Sequence, residues 1–353
     1  MISEKALEQL NTLDGYRQSF MDASLWQPYI QIICSRHFHT PCRVIRHGFP
    51  GTYPTFIVDD RWVVKLFGRL FAGALAFDTE KQVNGLLAQD SAIPAPKIIA
   101  CGTLFEDSDT WPWPYLIYEY IPGINISEVY DQVSFEDKLK LAQYLGEITK
   151  RLHALPLANV PLFRSGWDAY INLLEVQRRR CKQTHQAWNT LPAHLIEQID
   201  SYLLHVDALV DCSAAPHLIH ADIIRDHVLG RLDRGRWITL GIIDFGDVMV
   251  GDLFYELVAL HLDLFRGDKR LLSAYLNAYR LDPHVHQMLP TNAMTMTLLH
   301  RFNVLDRVIS SLPSQMSGVA TLDELAVLLW DVNVPRFDDY KIIARCNREG
   351  IIK

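Results

Sequence analysis

The chain has 353 residues, 49% of them hydrophobic and 21% charged, with a formal net charge of −7. That balance excludes a disordered chain, which would be poorer in apolar residues and more highly charged. It also argues against nucleic acid as the partner, because phosphate backbones are bound by clustered Lys and Arg, whereas a cationic small molecule suits the sign better.

The N-terminal stretch MISEKALEQL lacks the basic start and apolar core of a signal peptide, and no apolar run is long enough to span a bilayer. Six cysteines, Cys34, Cys42, Cys101, Cys181, Cys212 and Cys346, are scattered without a CxxC pair. Reduced thiols in a cytoplasmic protein with no membrane contact are the reading that follows.

Along the chain, residues 42–68 (CRVIRHGFPGTYPTFIVDDRWVVKLFG) read as three strands separated by a Gly/Pro loop and an Asp-Asp turn. A helix-like segment follows at 77–89, then strands at 93–105 and 115–123, the last closed by Pro-Gly. After Gly123 the apolar period changes to that of a helix, with candidates at 135–155, 195–210, 253–265, 270–279 and 293–309. One β-like island, 217–247, interrupts them.

The island carries the chemistry. Its start, HLIHADIIRDHVL, is crowded with histidines and aspartates, yet His217 and His220 are three apart on a strand, which sends them to opposite faces and disfavours a zinc cage. A different order is informative. Asp222 follows an apolar strand, His227 comes five residues later, and Asp244 ends the next apolar run in IDFG. Phosphoryl transfer from ATP needs a carboxylate near the attacking hydroxyl and ligands that hold magnesium against the phosphates, supplied in protein kinases by HRDxxxxN and a later DFG. Asp222, His227 and Asp244 fall at those places.

The N-terminal third offers the matching half. Lys65 lies inside the apolar strand WVVKLF, where an ammonium is costly without a partner. Glu80 shares a helical face with Phe77, Asn84 and Leu87 and is the candidate partner. The loop GFPGTYPTF, with Gly48 and Gly51, lacks the full GxGxxG of protein kinases. The backbone from Glu119 to Ile121 would be the edge that adenine hydrogen-bonds. The expected fold is α+β and protein-kinase-like in two lobes: a small β-rich nucleotide-binding lobe with one main helix (1–120), and a larger, mostly helical lobe with the catalytic loop and acceptor region (121–353).

LIHADIIRDHVL together with GIIDFGDVMVGD resembles the aminoglycoside phosphotransferase and choline kinase superfamily. WVVKLFG, WPWPYLIYEYIPG, ELVALHLDLFRGDKRLL and DELAVLLWD are similar, within it, to the hygromycin B phosphotransferases of antibiotic producers. The resemblance implies ATP, or alternatively GTP, as donor, Mg2+ as cofactor and a cationic aminoglycoside such as hygromycin B as acceptor. It implies Asp222 as the catalytic carboxylate, Asp244 as a metal ligand, Lys65 with Glu80 at the α- and β-phosphates, His220 as a brace of the catalytic loop and Asp252 as the acid that pins that loop's backbone. His227 stands where the hygromycin enzymes have asparagine. Glu256 and Asp263 fall on one helical face that could line a cleft for a polyamine, or be merely solvated. A kinase for another small hydroxylated amine or natural product, or a nucleotide-binding protein in which His227 has ended catalysis, are the alternatives.

Overall fold

The computed structural model describes residues 4–332 except 50, 107, 109, 159, 311, 313–315 and 317. Cys346, Pro50 of the glycine-containing loop and the chain beyond residue 332 lie outside the described residues.

The three apolar runs of 42–68 form strands β1 (Ile45–His47), β2 (Thr55–Val58) and β3 (Trp62–Leu66). With β4 (Ile98–Thr103) and β5 (Pro114–Glu119) they make an antiparallel sheet of order β1-β2-β3-β5-β4. The Asp-Asp turn is real. Asp59 and Asp60 both take the left-handed conformation, and the Asp59 carboxylate accepts the Arg43 and Val44 amides at 2.9 and 2.8 Å, fixing the entry to β1.

Strand alternation divides the two faces of the sheet. Val64 and Leu66 pack with Phe56 and Ile117 against an N-terminal helical layer, made of α1 (Leu13–Ser19) and α2 (Ala23–Phe38). Sequence periodicity did not draw attention to that layer, yet Trp26, Tyr29, Ile30, Ile33 and Cys34 form a buried stripe along α2, which Asp22 caps through the Ser24 amide at 2.9 Å. On the opposite face lies α3 (Gly73–Leu87), with Val63, Phe67, Leu116 and Tyr118 beneath it. Lys65 has the same parity as Val63, so it points to the α3 side.

Beyond Gly123, β6 (Ile124–Asn125) pairs with β8 (Val228–Asp233), which pairs with β9 (Arg236–Ile242), and β7 (His217–Ile219) pairs with β10 (Met249–Gly251). Around them stand α4 (Ile126–Val129), α5 (Phe135–His153), α6 (Trp167–Trp188) and the short α7 (Ala193–Ile196), α8 (Ile199–Tyr202) and α9 (Val206–Leu209). Then come α10 (Leu253–Ala259), α11 (Lys269–Tyr279), α12 (Pro283–Leu299), α13 (Leu305–Ile309) and α14 (Leu322–Trp330). No described helix is long and apolar enough to cross a membrane.

Two helical expectations change, and one helix was not foreseen. The single helix expected over 195–210 is broken into α7, α8 and α9, because Leu203 is extended and the Leu204 carbonyl is taken by Arg178 Nε at 3.3 Å. The one expected over 293–309 stops at Leu299, and the Arg301 amide bonds the Tyr255 hydroxyl at 3.3 Å instead of a helical carbonyl. The polar run EVQRRRCKQTH hid α6, whose buried stripe is Tyr170, Leu174, Cys181 and His185. At the centre, α10 and the π-helical turn Leu260–Leu264 that continues it are buried at every position, as expected of a helix surrounded by others.

Candidate active site

A cavity of about 540 Å³ lies where the five-stranded sheet meets the island, within the size range of small-molecule sites. Lys65, Glu80, His227 and Asp244 line it, as do Glu119, Tyr120 and Ile121.

The Lys65 ammonium reaches Glu80 Oε1 at 2.6 Å and Asp244 Oδ1 at 2.9 Å. Glu80 is buried on α3, and its other oxygen accepts the Tyr118 hydroxyl. Gly246 is required here: a Cβ on it would come within 2.9 Å of Glu80 Oε1. Burial opposes the charge on Lys65, but Asp244 and Glu80 outweigh it and hold the ammonium well above the ordinary lysine range. For Glu80 the balance goes the other way, burial raising its carboxyl despite Lys65. Burial also works against ionised Asp244, yet Lys65 and His227 prevail and keep its carboxyl well below the usual range.

Asp222 and Asp244 each follow a strand end, and at each the backbone turns through a left-handed residue, Ala221 at φ +64° and Asp244 itself at +64°. Such non-glycine residues are held only where the surroundings determine them. Ala221 is fixed by its amide, which donates to Glu256 Oε2 at 2.9 Å. His220, fully buried, donates Nε2–H to the Ile243 carbonyl at 3.1 Å and packs on Phe245. Burial lowers its pKa to about 4, so it is a neutral brace. The Ile243 amide in turn donates to the His227 carbonyl at 2.9 Å.

His227 Nδ1 lies 2.7 Å from the Asp222 carbonyl and 3.4 Å from its Oδ2. A carbonyl can only accept, so Nδ1 carries the proton, which leaves Nε2, 3.6 Å from Asp244 Oδ2, as the ring nitrogen that can give a lone pair to a cation. That donor pair fits one divalent cation completed by phosphate oxygens and water. Among the described residues no cluster of three or more His, Cys, Asp or Glu could hold a metal ion. Asp222 itself does not line the cavity. It sits directly behind His227 with 16% of its side chain exposed. Burial, reinforced by Asp247 and Asp244, raises its carboxyl to about 6 against the pull of His227 and Arg301.

At the end of β5, the Glu119 amide is engaged by the Lys97 carbonyl at 2.9 Å and the Tyr120 amide by the Arg61 carbonyl at 3.0 Å. The period of two therefore leaves the Glu119 carbonyl and the Ile121 N–H on the side away from β3.

Two expectations are corrected. Asp252 does not pin the catalytic loop; it caps α10 through the Tyr255 amide at 3.0 Å, and the loop is pinned by Glu256 one turn on. Glu256 and Asp263 face neither a cleft nor solvent. Both are buried, and Asp263 accepts the Arg225 amide at 3.0 Å and its Nε at 3.1 Å. The apolar residues flanking both acids on every side were the available signal. The sequence reading also passed over Asp247 and Arg301, paired at 3.0 Å in the same cavity; a DFGD quartet marks the first, whereas the second is hidden inside an apparently continuous helix.

The model of a phosphotransferase enzyme family, APH, matches residues 45–289. Among curated proteins, the lysine-specific demethylase JMJ21 of Arabidopsis thaliana is 28% identical over 223 residues, which is 52% of this chain and 23% of that protein. The match therefore spans less than a quarter of the relative's length. Among solved structures, the GDP and kanamycin complex of APH(2")-IIIa superposes with a TM-score of 0.61 at 20% identity, covering 85% of this chain and 97% of that one. A microcompartment-associated aminopropanol kinase gives 0.50 at 17% identity over 87% and 100%. The mixed helical and antiparallel architecture is thus the kinase-like fold of these proteins.

Proposed function

Because the chain belongs to the phosphotransferase enzyme family, we propose that it transfers the γ-phosphoryl group of ATP, with GTP as the alternative donor, to a hydroxyl of a small molecule. The observation that carries this reading is the convergence of Lys65, Glu80, His227 and Asp244 on one cavity, from positions spread over 180 residues of chain.

In this reading residues 1–120 grip the nucleotide and 121–353 supply the catalytic loop and the acceptor region of a cytoplasmic enzyme. Lys65, aimed by Glu80, contacts the α- and β-phosphates, and the Glu119 carbonyl with the Ile121 N–H meets the purine edge. His227 Nε2 and Asp244 hold a divalent cation such as Mg2+, which when bound neutralises charge on the phosphates. Asp222 orients the acceptor hydroxyl and takes its proton as that oxygen bonds to phosphorus and the nucleoside diphosphate leaves. In a loose transition state the carboxylate need only aim the hydroxyl, so a carboxyl raised to about 6, ionised at neutral pH, is sufficient.

The motif resemblance and the kanamycin-bound structural neighbour support an aminoglycoside acceptor, hygromycin B first. The withdrawal of Glu256 and Asp263 from the cleft favours a second reading, another small hydroxylated compound. Incubating the protein with ATP, Mg2+ or Mn2+ and a panel of aminoglycosides and small alcohols, and measuring ADP above the acceptor-free background, separates the two. ATP binding with no acceptor-dependent ADP would instead leave a nucleotide-binding protein without turnover.

A further inference from the structure

We propose that Arg301 selects the acceptor, and that the acceptor carries an anionic oxygen group, a carboxylate or a phosphate, beside the hydroxyl that Asp222 orients. The inference rests on the phosphotransferase reading and, within it, takes the second acceptor class, a small hydroxylated compound, in place of the aminoglycoside.

Arg301 follows the C-terminus of α12, and its amide is tied to the Tyr255 hydroxyl on the central α10. The guanidinium is therefore anchored at its root as well as at its tip. Nη2 donates to the Asp247 carbonyl at 2.9 Å and pairs with Asp247 Oδ1 at 3.0 Å. Nε is buried without a partner, while Nη1 is neither buried nor bonded. The side chain as a whole is 28% exposed and lines the cavity shared by Lys65, His227 and Asp244. Nη1 is consequently a pre-aimed donor open to a ligand.

Its place in the cavity is the acceptor side. His300, the residue before Arg301, hydrogen-bonds the backbone of Ala221, the residue before Asp222, and Arg301 itself pairs with Asp247 three positions beyond Asp244, so the guanidinium lies on the Asp222 side of the cavity. Next to it the wall is apolar, formed by Phe302, Val248 and Met249. Asp247 is already paired with Arg301, Glu256 with the Ala221 amide and Asp263 with Arg225. What the guanidinium leaves on offer there is its free Nη1 and the unpartnered Nε. An oxyanion placed against them would gain a charge-assisted bond of the kind guanidinium forms best, which an ammonium cannot make.

The test is calorimetric binding to the ADP-loaded protein, with paired probes that differ only in the anion: gluconate against sorbitol, and glucose 6-phosphate against glucose, with kanamycin as the polyamine. The acid of one or both pairs is expected to bind at least about 10-fold more tightly than its neutral partner. Whether gluconate or glucose 6-phosphate is preferred tells a carboxylate from a phosphate. Arg301→Gln should abolish the preference and Arg301→Lys should retain part of it, ADP titration serving to verify that each variant is folded. Equal binding within both pairs, preference for kanamycin, or an unchanged preference in Arg301→Gln would overturn the proposal while leaving nucleotide binding, and with it the phosphotransferase reading, intact. A fall in turnover in Arg301→Gln that is the same for every acceptor would also overturn it, since that marks a contact to the transferred phosphoryl group. Failure of the wild-type protein to bind ADP would sink both readings together.

Discussion

Lys65 and Asp244 are 179 positions apart in the chain and 2.9 Å apart in space. That single contact joins the third strand of the sheet to the turn after β9, and it stands beside the 2.6 Å contact of the same ammonium with Glu80. One buried cation thereby serves two carboxylates. Removing it in Lys65→Ala leaves Glu80 with only the Tyr118 hydroxyl and the partly exposed Asp244 with only His227, for which a loss of about 1 to 3 kcal/mol is expected. Chemical denaturation and nucleotide titration check this together: stability and ATP affinity should fall in parallel, and a variant with unchanged stability would show that the three charges are not coupled.

Asp222→Asn keeps the shape of the side chain and removes the carboxylate. Turnover with a working acceptor is expected to fall roughly 10²- to 10⁴-fold, the usual contribution of a positioned acid or base, while the ATP dissociation constant stays within a few-fold. Single-turnover kinetics would expose a mistaken role as a variant that transfers phosphate at the wild-type rate.

Glu256 supplies a pH signature. Burial raises its carboxyl from the ordinary 4.5 to about 7. A folded-state value above the unfolded one means that the native protein holds the proton more tightly. The stabilisation is complete below about 4.5 and is lost as pH rises through about 7. Glu256→Gln mimics the protonated form and still offers an oxygen to the Ala221 amide. The variant is expected to match the wild type in acid and to exceed it at pH 8 by up to about 3 kcal/mol. Urea unfolding at pH 4.5 and pH 8 decides; the same pH slope in both proteins would contradict a protonated Glu256.

The imidazole at position 227 bears on metal choice. Nitrogen ligands suit Mn2+ better than Mg2+, which takes oxygen. With the nucleotide present, the wild type should favour Mn2+ over Mg2+ by a larger factor than His227→Asn does. Electron paramagnetic resonance of bound Mn2+ provides a readout independent of turnover, because nitrogen coupling from an imidazole should be present in the wild type and gone in the variant.

The sheet and the nucleotide-facing groups were legible because each is an exception within a regular pattern. Lys65 is the one charge in WVVKLF, and Glu80 is a carboxylate on a face otherwise shared with Phe77 and Leu87. Such outliers survive in a single sequence. Glu256 and Asp263 misled for the opposite reason. Helical spacing put them on one face, but a helix buried at every position has no solvent face, and only the packing of α10 against its neighbours reveals where each acid goes. Arg301 was illegible because the interruption of its helix depends on the Tyr255 hydroxyl, 46 positions away. Long-range hydrogen bonds of this sort leave no local trace.

His220 and His227 stitch the loop of residues 220–227 to the end of β9 from two sides, one through the Ile243 carbonyl and the other through the Ile243 amide. Asp222 and Asp244 are thereby riveted to one rigid block. If the sheet swings to admit a nucleotide, what travels is Lys65 with Glu80, carried like a jaw against a fixed anvil. Opening and closing would alter the grip on the donor while leaving the alignment of the acceptor untouched.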